Sequence, residues 1–535
     1  MPTDPARFGM LRRSAAMLAI ALVLSGPAAS QSADSDAVSR IVEEGSQHSQ
    51  VMATAQYLAD VIGPRLSNSP GSRQAEAWTQ KRFRDFGLSN VRKEGFDFGR
   101  GWWIERSSVR MIAPRAIQLS ALPISWTPPT KGTIRAPIIV APMTKETDFV
   151  KWHGKLAGRI VLVSPPDAAR TPPTAKGFSD EDLRAMEAEK PKTYSSADRA
   201  AMLARSIAKY VRFPPALDRF LKDEGALAWV SMSHTDGKVV MSDGEGYIVG
   251  QTPLLPGVGM AVEDYRRLVR LAALGDTPTL EIENLVHFDD SDTQGYNIFG
   301  DIPGTDPGSS YVMAGAHLDS AAAADGAADD GAGVAIVTEA GRILAKMPRP
   351  KRTIRIALWG AEEQGMVGLL AYVRKYLATR GKPDATISRY EQFLSWSETW
   401  PLVPRPGWND LSVYFNVDNG AGRIRGVYAD GNLKGIPILR AWSAPFATMG
   451  VSSFPAYADS GSEHEFLQLS GLPGFQVIQD WNDYWRMHHT TMDTFDHLDA
   501  KDMQQASIVL AGYLWNAANA DSPFPRNPVP QASVP

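Results

Sequence analysis

SSYVMAGAHLDSAAAADGAADDGAGVAIVTEAGRILAKM, residues 309–347, opens on an apolar strand pattern, passes through a loop of small residues and acids, and ends in an apolar helical pattern. Strand followed by helix is the unit from which parallel sheets are built. The alternation continues through RTIRIALWG, GMVGLLAYVRKYL, LSVYFNVDN and IPILRAWSAPFATM, and KDMQQASIVLAGYLWNAAN forms the last helix. The pattern after Asn297 therefore predicts an α/β fold with a mainly parallel mixed sheet flanked by helices. Small residues around His317, Asp319, Asp329 and Asp330 let the backbone turn tightly and approach a bound group.

In such sheets ligands bind beyond the carboxyl ends of the strands. YVMAGA ends in His317 and Asp319, TIRIALWG runs into Glu362 and Glu363, and LSVYFNV ends at Asp418. LPGFQVI leads by a short loop to WRMHHTTMDT, with His488 and His489. A single acidic strand end is ordinary, because Asp and Glu favour turns and helix N-termini. Four ends of one sheet carrying His, Asp, Glu, Asp and His are better explained by one shared site than by four independent caps. Imidazoles and carboxylates are ligands that borderline divalent metals accept, and a catalytic zinc takes about three from the protein. Two imidazoles and three carboxylates serve two ions if one carboxylate bridges them, which leaves Glu362 free to act as a base.

The rest of the chain narrows the classes. Its 535 residues allow several cores. A net charge of -4 gives no basic footprint for nucleic acid. There is no cysteine, so disulfides, thiolate zinc sites, cysteine nucleophiles and lipid attachment through an N-terminal cysteine are excluded. Arg12 and Arg13 precede the apolar run AAMLAIALVLSG, and PAASQS offers small residues for cleavage before Gln31. That is the layout of a secretory signal, so the expected location is periplasmic or secreted, with no integral membrane segment once the signal is removed.

Five stretches are expected: a signal over 1–30, a first part of the catalytic domain over 31–115, an inserted domain over 116–288, the main catalytic part over 289–521, and a Pro-rich tail over 522–535. SQVMATAQYLADVIGPRL and AEAWTQKRFRDFGL have helical spacing, and VRKEGFDF reads as a short strand. Between about 128 and 285 the chain turns to short β-rich runs such as TIRAPIIVAP and GRIVLVSP, and 165–213, charged and punctuated by proline, is expected as a surface insertion.

The motifs HLD, ADDGAG, WGAEEQG, NVDNG and HHTTMDT, in that order, resemble those of the di-zinc exopeptidases that include aminopeptidases and glutamate carboxypeptidases. The likeness is strongest to the carboxypeptidase Q branch, and it extends to IGPRLSNSPGSRQAEAW and KRTIRIALWGAEEQGMVG. It implies a zinc-dependent hydrolase of dipeptides or of the terminal residues of short peptides, with two zinc ions per chain. His317 and Asp418 would hold one ion, Glu363 and His489 the other, and Asp329 would bridge them, followed by a cis peptide bond. Glu362 would be the base, and Asp319 would orient a ligand imidazole. His488 stands where many aminopeptidases have a tyrosine that supports the oxyanion, and the carboxypeptidase Q branch has histidine there. DSGSEHEFLQLSGLPG resembles the family's SDHxxF stretch with Glu463 in place of aspartate, and it would bring His464 to the substrate pocket. KLAGRIVLV, GALAWVSM and LLPGVGMAVEDYRRL in the middle block resemble an inserted protease-associated domain that shapes access to the cleft. A short peptide is the expected partner, and a homodimer is allowed. Two other readings remain at this stage. A glutaminyl cyclase-like enzyme would work with a single zinc, and a receptor-like homologue without catalysis would have lost ligands.

Overall fold

The computed structural model describes residues 35–532 apart from 171, 173, 175, 176, 192–194, 243–246, 248, 307, 309 and 383–386. The expected signal over 1–30 and the last three residues of the tail lie outside the described residues.

Seven strands make the first sheet: β1 (Ser89–Asp97), β2 (Gln294–Ile302), β3 (Tyr311–His317), β4 (Ile354–Trp359), β5 (Leu411–Asn416), β6 (Ile424–Val427) and β7 (Gly474–Gln479). Their spatial order is β1-β2-β4-β3-β5-β7-β6. The inner four, β4, β3, β5 and β7, run parallel, and β1, β2 and β6 are antiparallel to their neighbours. This is the mainly parallel, mixed α/β sheet that the alternation of apolar runs predicts.

Side chains alternate across it with period two. Val312, Ala314 and Ala316 of β3 join one core, with Ile354, Ile356 and Leu358 of β4 and Val413 and Phe415 of β5. Met313, Ala357, Trp359 and Tyr414 point into the opposite core. The first face is covered by the helices Ser35–Gln47, Val51–Gln56, Ala332–Ala345 and Ala500–Asn519. The second is covered by Val367–Tyr372 and His464–Leu469. Strands buried on both faces explain why β3, β4 and β5 read as continuous apolar runs. Truncating a side chain such as Phe415, which is fully buried, is the class of change that costs about 3–5 kcal/mol.

A second sheet has eight strands in the order Ile117–Gln118, Gly101–Ala113, Thr279–Asp289, Ile134–Val140, Ile160–Leu162, Ala228–Met232, Gly257–Met260 and Ala121–Pro123. The strand Gly101–Ala113 pairs along its length with Thr279–Asp289, from Gly101 opposite Asp289 to Ala113 opposite Thr279. By sheet membership the chain passes from the first sheet to the second near Arg100, so Gly101–Ala113, within the expected stretch 31–115, is a strand of the second sheet. The strand has no regular alternation, with buried positions at Gly101, Trp102, Val109 and Met111 separated by half-buried and exposed ones, so its pairing is not announced by period. The two ladders continue one another: Asp97 faces Gln294 in the first sheet just before Gly101 faces Asp289 in the second.

The stretch 165–213, expected as a surface insertion, reaches across to the elements around the first sheet. Leu183 is buried, its carbonyl accepts from Ser453 Oγ at 3.3 Å, and Glu187 meets Arg440 at 2.7 Å. The tail from 522 runs without regular structure, with Phe524 buried against Trp442 and Phe475.

Candidate metal centre

The parallel strands deliver the predicted residues to one place. His317 is the last residue of β3, Glu362 and Glu363 follow β4 after a turn, Asp418 follows β5, and the loop after β7 carries His488 and His489. Asp329 sits in the turn that opens the helix Ala332–Ala345, and the peptide bond between Asp329 and Asp330 is cis.

Asp329 lies between two groups. Its Oδ1 is 3.0 Å from His317 Nε2, which is 3.7 Å from Asp418 Oδ1. Its Oδ2 is 3.3 Å from His489 Nε2, which is 2.8 Å from Glu363 Oε2. His488 Nε2 also faces Asp329 Oδ2, at 3.6 Å, and the two imidazoles stack with centroids 3.8 Å apart. Ligand atoms around one tetrahedral ion with bonds near 2 Å stand roughly 3.3 Å apart, the scale of these separations.

Two atoms test whether a cation fits. Asp329 Oδ2 and Glu363 Oε1 are buried and have no hydrogen-bond donor among the described residues. A buried carboxylate oxygen without a donor costs about 1–3 kcal/mol or more, and a divalent ion bound between these groups removes that cost. The donor set is imidazole and carboxylate throughout, which suits zinc.

The electrostatics follow from this crowding. Burial would raise the Asp329 carboxyl, but the hydrogen bond from His317 and the facing His488 and His489 hold it below the ordinary range. Burial pushes Glu362 well above it, opposed by His317 and reinforced by Glu463, Asp418 and Glu363. Glu363 is raised by burial against the pull of His489.

Asp319 acts differently from expectation. His317 Nδ1 is 3.0 Å from the Asp319 main-chain carbonyl, whereas the Asp319 carboxylate stands 3.8 Å from that nitrogen. The carboxylate accepts instead from the Glu362 N–H at 3.1 Å, the Glu363 N–H at 3.3 Å and Ser67 Oγ at 3.1 Å. It therefore fixes the turn that presents both glutamates, and its backbone fixes the imidazole. His464 is buried at the start of the helix His464–Leu469. Its Nε2 meets the Asp459 carbonyl at 3.2 Å, and burial pushes its pKa down to about 4.

Several supporting residues carry no signal in spacing. Asp330 accepts from the His317 N–H at 3.1 Å and the Gly333 N–H at 3.0 Å, tying strand end to helix start. A Cβ on Gly333 would lie 2.2 Å from both Asp330 Oδ1 and the Val417 carbonyl, which explains the glycine in ADDGAG. Asp493, inside HHTTMDT, accepts from the Ala328 N–H at 2.5 Å and the Asp329 N–H at 3.0 Å, and burial with the nearby Asp329 charge pushes its pKa up to about 7. Arg65, fully buried, donates to the carbonyls of Leu318, Gly63, Asp325 and Gly326 and braces the loop that ends in Asp329. Asp493 and Arg65 were visible only as letters inside motifs, since their partners lie far away in sequence.

Residues 297–514, which contain all the candidate metal ligands and Glu362, match the model of peptidase family M28. The chain is similar to carboxypeptidase Q of Rattus norvegicus, 25% identical over 476 residues, with 88% of this chain and 85% of that protein covered. It is likewise similar to carboxypeptidase Q of Homo sapiens, 25% identical with the same coverage. Among solved structures, a peptidase M28 precursor from Shewanella amazonensis superposes with a TM-score of 0.65 at 22% identity, covering 93% of this chain and 98% of that one. A zinc aminopeptidase from Bacillus subtilis gives 0.55 at 19% identity, covering 88% and 95%. The fold, the motif order and the clustered ligands agree with that match: residues 297–514 carry the metallo-exopeptidase pattern of peptidase family M28.

Proposed function

We propose that this protein is a zinc-dependent exopeptidase that hydrolyses dipeptides or removes terminal residues from short peptides. The observation that carries the reading is Asp329, held between the His317–Asp418 and Glu363–His489 pairs with one oxygen toward each. In this reading Asp329 would be shared by two zinc ions, with His317 and Asp418 as the residues that would hold one and Glu363 and His489 as those that would hold the other. Bound zinc would polarise the scissile carbonyl and favour ionisation of water. The Glu362 carboxylate takes the proton from the attacking water and passes it to the leaving amine. His488, half-buried beside Asp329, is the group placed to face the oxyanion. Asp319 holds the backbone of Glu362 and Glu363 so that base and ligand keep separate directions.

The full set of two imidazoles and three carboxylates favours this reading over a single-zinc glutaminyl cyclase, and also over a receptor-like homologue with lost ligands. Purified protein assayed against unblocked dipeptides, N-blocked peptides and aminoacyl amides is expected to release amino acids from at least one peptide class. Cleavage of amides would define an aminopeptidase, and restriction to unblocked dipeptides would define an enzyme that reads both ends. Cyclisation of N-terminal glutamine without peptide cleavage would overturn the reading.

The same reading places the enzyme outside the cytoplasm, on the strength of the Arg12–Arg13 and AAMLAIALVLSG layout. Protein isolated from its native host is expected to begin near Gln31 and to fractionate as periplasmic or secreted. N-terminal sequencing that finds Met1 on cytoplasmic protein would refute it. Among the described residues, no helix is long and apolar enough to cross a membrane.

A further inference from the structure

The loop from Asp480 to Thr491, which carries His488 and His489, does not hold its shape by backbone preference. Asn482, Asp483 and His489 all have positive φ, at 47°, 64° and 58°. Asn482 and Asp483 are of the types that tolerate that region, but for His489 it costs about 1–2 kcal/mol, which hydrogen bonds within the loop and contacts from outside it must offset.

Those contacts come from the second sheet and the segment inserted in it. At the far end of the loop, Thr491 Oγ1 accepts from the Val240 N–H at 3.1 Å, the Thr491 N–H donates to the Val240 carbonyl at 3.0 Å, and Met241 bridges to Thr490. Val240 and Met241 are buried, and they are bolted to the second sheet. The Met241 N–H donates to Ser233 Oγ at 3.0 Å, and Ser242 Oγ donates to the Pro123 carbonyl at 3.0 Å. At the near end, the Phe178 N–H donates to Asp480 Oδ1 at 2.8 Å, and the Phe178 ring meets Trp481 edge-on at 4.7 Å. Arg425 closes this end by donating to the Phe178 carbonyl at 3.1 Å and to Asp480 at 3.2 Å.

We propose that the second sheet is a clamp for the histidine loop, with Thr491 and Phe178 as positioning residues that aim His489 at Glu363 and Asp329. The proposal rests on the zinc reading only where it predicts metal affinity. The order it imposes on the loop is a property of the chain alone. The unit that sequence suggests as a gate to the cleft thus also sets the geometry of one ligand.

The test uses the full-length protein and two measurements. Thr491→Val keeps the shape of the side chain and removes the acceptor for the Val240 N–H. In metal-free protein, trypsin is expected to cut after Arg486 about tenfold faster in Thr491→Val than in the parent. Titration with zinc against a chromophoric chelator is expected to show one dissociation constant raised roughly tenfold or more, as for lost partners behind metal ligands, with the other unchanged. Thr491→Ser, which retains the hydroxyl, returns both readouts to the parent values. Phe178→Ala, in the other unit, is expected to speed the same cleavage and covers the case in which Thr491→Val does not fold. Parent-like cleavage and parent-like zinc constants in the folded variants would overturn the clamp. Faster cleavage in a protein that takes up no zinc would sustain the clamp and overturn the zinc reading.

Discussion

Glu362→Gln is expected to lower kcat by at least about a hundredfold while leaving both metals and KM near their parent values, because general-base contributions run to about 10²- to 10⁴-fold. The amide keeps the size of the carboxylate and accepts no proton. That loss corresponds to roughly 3–5 kcal/mol of barrier. Its neighbour should behave differently. Glu363 Oε2 lies 2.8 Å from His489 Nε2, and Glu363 Oε1 is a buried oxygen without a donor, so Glu363→Gln should weaken one metal and lose activity through an empty position. The two variants are compared by steady-state kinetics beside elemental analysis. If Glu362→Gln loses metal along with activity, or keeps its rate, base and ligand have been assigned to the wrong residues.

Metal removal is the second large effect. Elemental analysis of active protein is expected to approach two divalent ions per chain, with activity abolished by chelation and restored by zinc. A stability effect should accompany it. Carboxylates of Asp329, Asp330, Glu363 and Asp418 crowd one buried region, and an ion that binds only the folded state stabilises it by about 4 kcal/mol at a thousandfold excess over its dissociation constant. The melting temperature should therefore fall on chelation and recover with zinc, followed by calorimetry. A stoichiometry that stays at one in fully active protein would favour the cyclase-like alternative.

What could be read in advance depended on sequence distance. The strands β3, β4, β5 and β7 were legible because burial on both faces makes each a short apolar run, and the chemistry follows at its end. His317, Glu363, Asp418 and His489 could be gathered on paper because a parallel sheet aligns its carboxyl ends. Arg65 could not, since its work is done on the carbonyls of Leu318, Asp325 and Gly326, and nothing local distinguishes it from a surface arginine. The roles of Asp319 were only half legible. Its place two residues after His317 suggested an orienting carboxylate, but the carboxylate turns to the backbone of Glu362 and Glu363 and the carbonyl serves the imidazole. The burial of His464 beside Phe466 and Leu467 was not legible, because nothing in DSGSEHEFLQLSGLPG marks the helix start as covered. The sheet to which Gly101–Ala113 belongs was not legible, because it is set by a partner near residue 284.

The end-to-end ladders have a consequence for the order of folding. β1 must pair with β2 across a gap on the order of 200 residues, a closure whose entropy grows as the logarithm of the loop. Once Gly101–Ala113 has zipped to Thr279–Asp289, Gly101 stands opposite Asp289 and the gap from Asp97 to Gln294 shrinks to a short turn at each side. By the same logarithmic law the remaining closure becomes cheaper by roughly 3 kcal/mol. The two ladders therefore share one closure: whichever pairs first brings the ends of the other together, so the edge of the first sheet and the long pair of the second are coupled in forming.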